Sequence, residues 1–263
     1  MRRILLFLCL LSSAFGPRAA QGQGWLDTRA AGPVVCRADF SLDGYEGLFQ
    51  DLASVQNDLV RTLAIPPAEE PIELYLFHDK RSFSAHMQKR YPSVPIRRAL
   101  FVKGAGPGRV FVYRHDELSI DVRHEGTHAL LHASLPMVPL WLDEGLAEYF
   151  EVPPTERAYG HPHLNALRWD LRLGNAPKIA ALEAKRELAD MSTTDYRHAW
   201  AWVHFMMHGP VEGREELVQF LGAIRMSTPP GKLSDLLERR LPGVESRLVQ
   251  HFRAWKKLAP MTK

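Results

Sequence analysis

The chain predicts an α+β protein, with a small mixed β-sheet and helices in its N-terminal half and an all-helical C-terminal half. Three observations carry this expectation. The stretches with strand character all lie before Asp116, whereas from Leu118 onward apolar residues recur only at helical spacing. The chain has 263 residues, 46% hydrophobic and 24% charged, enough to bury a core in one or two domains and too apolar for a disordered chain.

Taken in order, the chain starts with MRRILLFLCLLSSAFGPRAAQGQG: Arg2 and Arg3, an apolar run from Ile4 extended to Phe15, then small residues around Ala19 to Gly22. This is the layout of a secretory signal peptide over residues 1–22, too short for a comfortable membrane span. The expectation is an exported protein, periplasmic or secreted, with no stable membrane anchor once the signal is cleaved. Pro33 to Phe40 reads as a strand, and Tyr45 to Leu63 as a helix with Leu48, Leu52, Val55, Leu59 and Leu63 at helical spacing. IPPAEEP stops that helix. Ile72 to His78 alternates like a half-buried strand, and Asp79 can cap a helix running to about Arg90. RALFVKG and GRVFVYR, separated by AGPG, read as a β-hairpin. Seven helical segments follow: Leu118 to Ser134, Leu140 to Phe150, about Leu164 to Leu173, Asp195 to Met207, Glu215 to Ile224, Lys232 to Arg240 and Val244 to Lys257.

The formal charge of +3 belongs to the leader. Losing Arg2, Arg3 and Arg18 leaves 30 basic residues against 30 acidic ones, so no basic stripe argues for nucleic acid. Cys36 would then be the only cysteine, which excludes an internal disulfide and leaves the core, or a metal, to stabilise the chain.

A metal is what the middle of the chain suggests. In HEGTH, His124 and His128 are four residues apart, so on a helix both imidazoles point from one face at a single ion. Glu125 sits beside the first of them, where it can take a proton from a water acidified by the ion to a pKa of roughly 7. His128 lies seven residues before Leu135 and Glu144 five after Pro139, so if LPMVP is the turn of a helical hairpin the two stand at the same height. Glu148 is one turn on from Glu144, as His124 is one turn back from His128. Glu144 is thus placed as the third protein ligand, and Glu148 to accept the free ring N–H of His124 from behind. Glu148 as the ligand instead remains the alternative.

HEGTH followed by WLDEGLAEYFE resembles the gluzincin zinc metallopeptidases, of the peptidase-MA-like superfamily. The resemblance is strongest to short bacterial domains of uncharacterised function that share WLxEGLAEYFE and a later stretch similar to YRHAWAWVHF, here Tyr196 to Phe205. It covers roughly residues 34–258 and implies a zincin-type helix pair within one peptidase unit, with a sheet-containing lobe over 33–135 and a helical lobe over 136–258. It further implies one Zn²⁺ per chain held by His124, His128 and Glu144, with Glu125 as general base. Two departures stand out. The spacer from His128 to Glu144 is shorter than in thermolysin or aminopeptidase N, and no GAMEN-type segment is present, so aminopeptidase activity is not implied.

Peptide hydrolysis also needs a donor for the oxyanion. By the same resemblance Tyr196 is the candidate, with His198 and then His204 behind it; each could equally be a core residue among Trp200, Trp202 and Phe205. Arg109 to Arg114 would present either an exposed edge for an extended peptide or a fully paired interior strand. His161, Pro162 and His163 read as a loop rather than a second metal site, since proline imposes an extended geometry and no further ligands are nearby in sequence. Two functions fit these residues: a zinc peptidase acting on peptide or protein substrates, and a catalytically silent zinc-containing domain that binds peptide or envelope components. Hydrolysis of another amide or ester is a weaker third. Glu125 favours the first, because a structural zinc has no use for it.

Overall fold

The protein is α+β in a computed structural model that describes residues 24–104 and 106–255. The expected signal peptide lies outside the described residues. The described residues divide into two compact units, one built from residues 24–57 and Pro67–Ala133, the other from Asp58–Pro66 and residues 134–255. No helix among the described residues is long and apolar enough to cross a membrane.

The first unit carries one five-stranded sheet. Its strands are β1 (Asp27–Ala31), β2 (Val34–Ala38), β3 (Ile72–Phe77), β4 (Ala99–Val102) and β5 (Arg109–Tyr113), in the order β1-β2-β3-β5-β4. The two outer pairs are antiparallel and the two inner pairs parallel. Ala31 pairs with Val34, so Gly32 and Pro33 form a two-residue hairpin loop, and Gly32 takes the φ of +55° that such a turn requires. β1 is an addition to the strands expected: its residues, DTRAA, give no apolar alternation, and it exists because it pairs with β2.

Between the strands run α1 (Glu46–Leu63, of which the part to Asn57 belongs to this unit) and α2 (Lys80–Arg90), and α3 (Leu118–Ser134) follows the last strand. Asp79 caps α2 as expected, its side chain accepting from Ser82 N at 2.8 Å. One face of the sheet buries Tyr75, Phe77, Leu100 and Phe111 in a cluster with Phe83 and Met87 of α2. The alternate residues Cys36, Leu74, Leu76, Val110 and Val112 are buried as well, so the central strands have no solvated face. β5 is an interior strand rather than an exposed edge. It is paired with β3 on one side and β4 on the other, and β4 forms that edge of the sheet.

The second unit is helical: α4 (Leu140–Phe150), α5 (His163–Arg172), α6 (Ile179–Glu183), α7 (Thr193–His208), α8 (Val211–Arg225), α9 (Leu233–Arg240) and α10 (Val244–Ala254). The short α6 and a 3₁₀ turn at Leu188–Asp190 are not signalled by apolar spacing. α7 begins two residues earlier than its apolar spacing suggests. Ser192 and Asp195 form a capping box, each side chain satisfying the other's backbone N–H. α7 packs against α4 so closely that a Cβ on Gly145 would lie 2.7 Å from the Ala199 carbonyl oxygen. Trp200 and Trp202 of α7 are fully buried.

Candidate metal centre

Within the first unit, α3 brings His124 and His128 onto one face, their ring centroids 5.1 Å apart. His124, Glu125 and His128 are all buried, at 4%, 3% and 0% exposure, so two imidazoles and a carboxylate share one shielded stretch of helix. The helix is held firmly on both sides. A Cβ on Gly126 would come within 2.2 Å of a methyl of Leu52, so the glycine of HEGTH permits α3 to lie against α1. One turn before His124, Asp121 receives both Nε and Nη2 of Arg98 at 2.6 and 2.7 Å, a bidentate grip, and His115 Nε2 lies 3.0 Å from the same carboxylate. Phe101 stacks on His128 at 6.2 Å and on His132 at 5.7 Å, which restricts the His128 ring.

Within the second unit, α4 carries four buried acids on or just after eleven residues: Asp143, Glu144, Glu148 and Glu151. Glu144 and Glu148 are one turn apart and so share a face. Gly145, between them, is where α7 makes its close approach. His124 and His128 in the first unit, and Glu144, Glu148 and Glu151 in the second, are each buried and carry donor types that can hold a metal ion. Two imidazoles and one carboxylate is a three-ligand set suited to zinc with an open fourth position.

Residues 119–230 match the model of a family described as "Protein of unknown function (DUF1570)". That segment contains every site residue expected from the sequence. No match was found among curated proteins. Among solved structures the chain is similar to an M1 zinc metallopeptidase from Deinococcus radiodurans, at 16% identity and a TM-score of 0.49 over 91% of this chain and 53% of that one. It is also similar to a mutant two-domain M1 zinc metallopeptidase bound to L-arginine, at 17% identity and a TM-score of 0.48 over 90% of this chain and 53% of that one. The chain therefore spans about half the length of these structures.

The remaining expected residues fall into different surroundings. Tyr196, in the first turn and a half of α7, is buried at 4% exposure. His198 Nε2 stands 3.4 Å from Asp170, whose carboxylate also receives Arg197 Nε at 2.6 Å. Burial lowers the His198 pKa, against the opposing pull of Asp170. His204 is a core histidine: its Nε2 donates to the Ala158 carbonyl at 2.9 Å, its Nδ1 accepts from His251 Nε2 at 3.3 Å, and burial pushes its pKa down to about 2. Tyr149, which sequence reasoning passed over, shares a 2.9 Å hydrogen bond with His208, and burial pushes its hydroxyl up to about 12.

The loop reading of HPH requires correction. Pro162 has φ −56° and ψ −31°, helical rather than extended, and leads directly into α5. The bend sets the His161 and His163 rings 5.0 Å apart. A further acid is also close in space: His163 Nε2 lies 2.8 Å from Glu148 Oε2, fifteen residues back in the chain. A proline followed by a helix-forming run is itself a helix-start signal, and it was the one clue available.

Proposed function

We propose that the chain is an exported zinc metallopeptidase, with His124, His128 and Glu144 as zinc ligands, Glu125 as general base, Glu148 supporting His124 and Tyr196 as oxyanion donor. The observation that carries this reading is Glu125, a carboxylate buried at 3% exposure between two buried imidazoles on one helix. A structural zinc closes its coordination shell and needs no neighbouring base, whereas a hydrolytic one does. The choice of Glu144 over Glu148 as ligand is supported by the register across LPMVP and by the engagement of one Glu148 oxygen with His163.

Zinc, when bound, would supply Lewis-acid chemistry, acidifying a water and polarising the scissile carbonyl. Glu125 takes the proton of the attacking water and passes it to the leaving amine. The Tyr196 hydroxyl donates to the oxygen on which charge develops. His128 is kept in place by Phe101, and the N-terminal part of the helix that carries both imidazoles by the Arg98–Asp121 pair. Export is supported by the basic and apolar opening residues alone.

The test is metal analysis coupled to cleavage of a broad peptide library. Wild type should hold one zinc per chain and cleave, and Glu125→Gln should keep its zinc while losing cleavage by roughly 10²-fold or more. Glu144→Ala should lose stoichiometric zinc and Glu148→Ala should not; the reverse would move the ligand to Glu148. One zinc per chain without cleavage of any peptide would favour the silent binding domain. Amino-terminal sequencing of exported material checks the signal peptide.

A further inference from the structure

We infer that His161, Pro162 and His163 form the positioning device for Glu148, and that His163 tunes zinc affinity through that carboxylate; this rests on the reading just proposed. The HPH segment holds Glu148 at two separate points. His163 Nε2 meets Oε2 at 2.8 Å, and because a carboxylate only accepts, that nitrogen carries the proton. His161 Nδ1 accepts the backbone N–H of His163 at 3.2 Å, which places its own proton on Nε2, and Nε2 donates to the Glu148 carbonyl at 2.8 Å. That carbonyl lies in the last turn of α4, where backbone oxygens have no helical partner. One three-residue segment thus fixes both the backbone and the rotamer of a single acid.

The clasp is itself supported. The helical ψ of Pro162 turns both rings toward the same residue, and the fully buried Trp200 stacks on His161 at 4.5 Å and meets His163 edge-on at 5.8 Å. Packing alone does not call for this arrangement. The Glu148 side chain is 3% exposed, and an apolar residue there would fill the site with no charge to desolvate. An acid retained with two imidazoles around it has a charge and an orientation to present. In the proposed site that orientation serves His124: a carboxylate behind a ligand imidazole fixes its tautomer and raises its basicity, and loss of such support costs roughly ten- to a hundredfold in metal affinity. His163 secures Oε2, and in the proposed site Oε1 would be left to accept the His124 ring N–H.

The experiment is competition for zinc against a chromogenic chelator, on the full chain and its variants. His163→Leu, similar in bulk but without an N–H, should bind zinc roughly ten- to a hundredfold more weakly. His163→Gln, whose amide N–H can reach the same oxygen, should recover most of the loss. Should the leucine variant not fold, His163→Asn, too short to reach Oε2, takes its place. Because His163 acts through Glu148, adding His163→Leu to Glu148→Gln should weaken binding no further than Glu148→Gln alone. Equal losses in the leucine and glutamine variants, or losses that add in the double variant, would show a packing role and overturn the inference. If wild type binds one zinc per chain and His163→Leu binds it equally well, this inference fails while the metal reading stands. If wild type takes up no zinc at all, both fall.

Discussion

Gly145→Ala is a sharp test of how the helical unit is assembled, because the substitution should lower stability where helix propensity alone says it should raise it. Gly145 is inside α4, and in an unobstructed helix alanine is favoured over glycine by about 1 kcal/mol. Here the new Cβ would meet the Ala199 carbonyl oxygen at 2.7 Å, the Ala199 carbonyl carbon at 2.9 Å and a methyl of Val203 at 3.0 Å. Ordinary carbon contacts begin at about 3.5 Å, so α4 and α7 must separate by several tenths of an ångström. Two of the three obstacles are backbone and cannot rotate away, which puts the cost near the upper end of the usual ~1–3 kcal/mol for overpacking. Setting the propensity gain against it leaves a net loss of about 2 kcal/mol, or a Tm lower by about 4–8 °C for a chain of this size. Gly222→Ala is the control. It is also inside a helix, α8, but a Cβ there meets nothing within 4 Å, so it should gain up to about 1 kcal/mol and raise Tm by about 2–4 °C. Differential scanning calorimetry on both variants reads the two signs. If Gly145→Ala melts at or above wild type, α7 does not approach α4 as described, and the reasoning is wrong.

Acid should destabilise the helical unit through its histidines. Burial lowers His204 to about 2 and His208 and His251 to about 4, so the folded state binds protons less readily than the unfolded chain. Their contribution is intact above pH ~6.5 and is lost as pH falls from there toward 4, because the unfolded chain protonates first. A Tm that stays flat from pH 7 to 4, or a His204→Gln variant with the same slope as wild type, would count against this. Asp58→Ala should cost about 3–5 kcal/mol in urea denaturation, since it strips the partner from Arg157, which is itself buried at 6% exposure. Arg61→Ala removes the other, largely exposed partner of Asp58 and should change stability by less than about 1 kcal/mol. Zinc held at about a thousand times its Kd should stabilise the fold by about 4 kcal/mol, so chelation should lower the Tm of wild type and leave that of Glu144→Ala unchanged; equal chelator sensitivity in the two proteins would contradict the ligand assignment.

What was legible in the sequence divides by range. α3 and α4 have the ends that apolar spacing and the flanking prolines indicate, and the Asp79 cap and the β4–β5 hairpin arise from turn and cap chemistry within a few residues. Each is a local signal. β1 is invisible to periodicity because a strand made of DTRAA has no apolar face of its own and depends on its neighbour. Whether β5 is an edge cannot be read from β5, since that depends on its parallel pairing with β3, some 36 residues away. The HPH segment combines both difficulties. The backbone angles of Pro162 depend on the helix that begins at His163, and the acid that His163 meets is on another helix. Periodicity finds the faces of helices, and residue types at fixed offsets find the chemistry carried on one helix. Neither finds what holds a side chain from across the fold, and for a buried carboxylate such as Glu148 that support is what decides its rotamer and the direction in which its charge points.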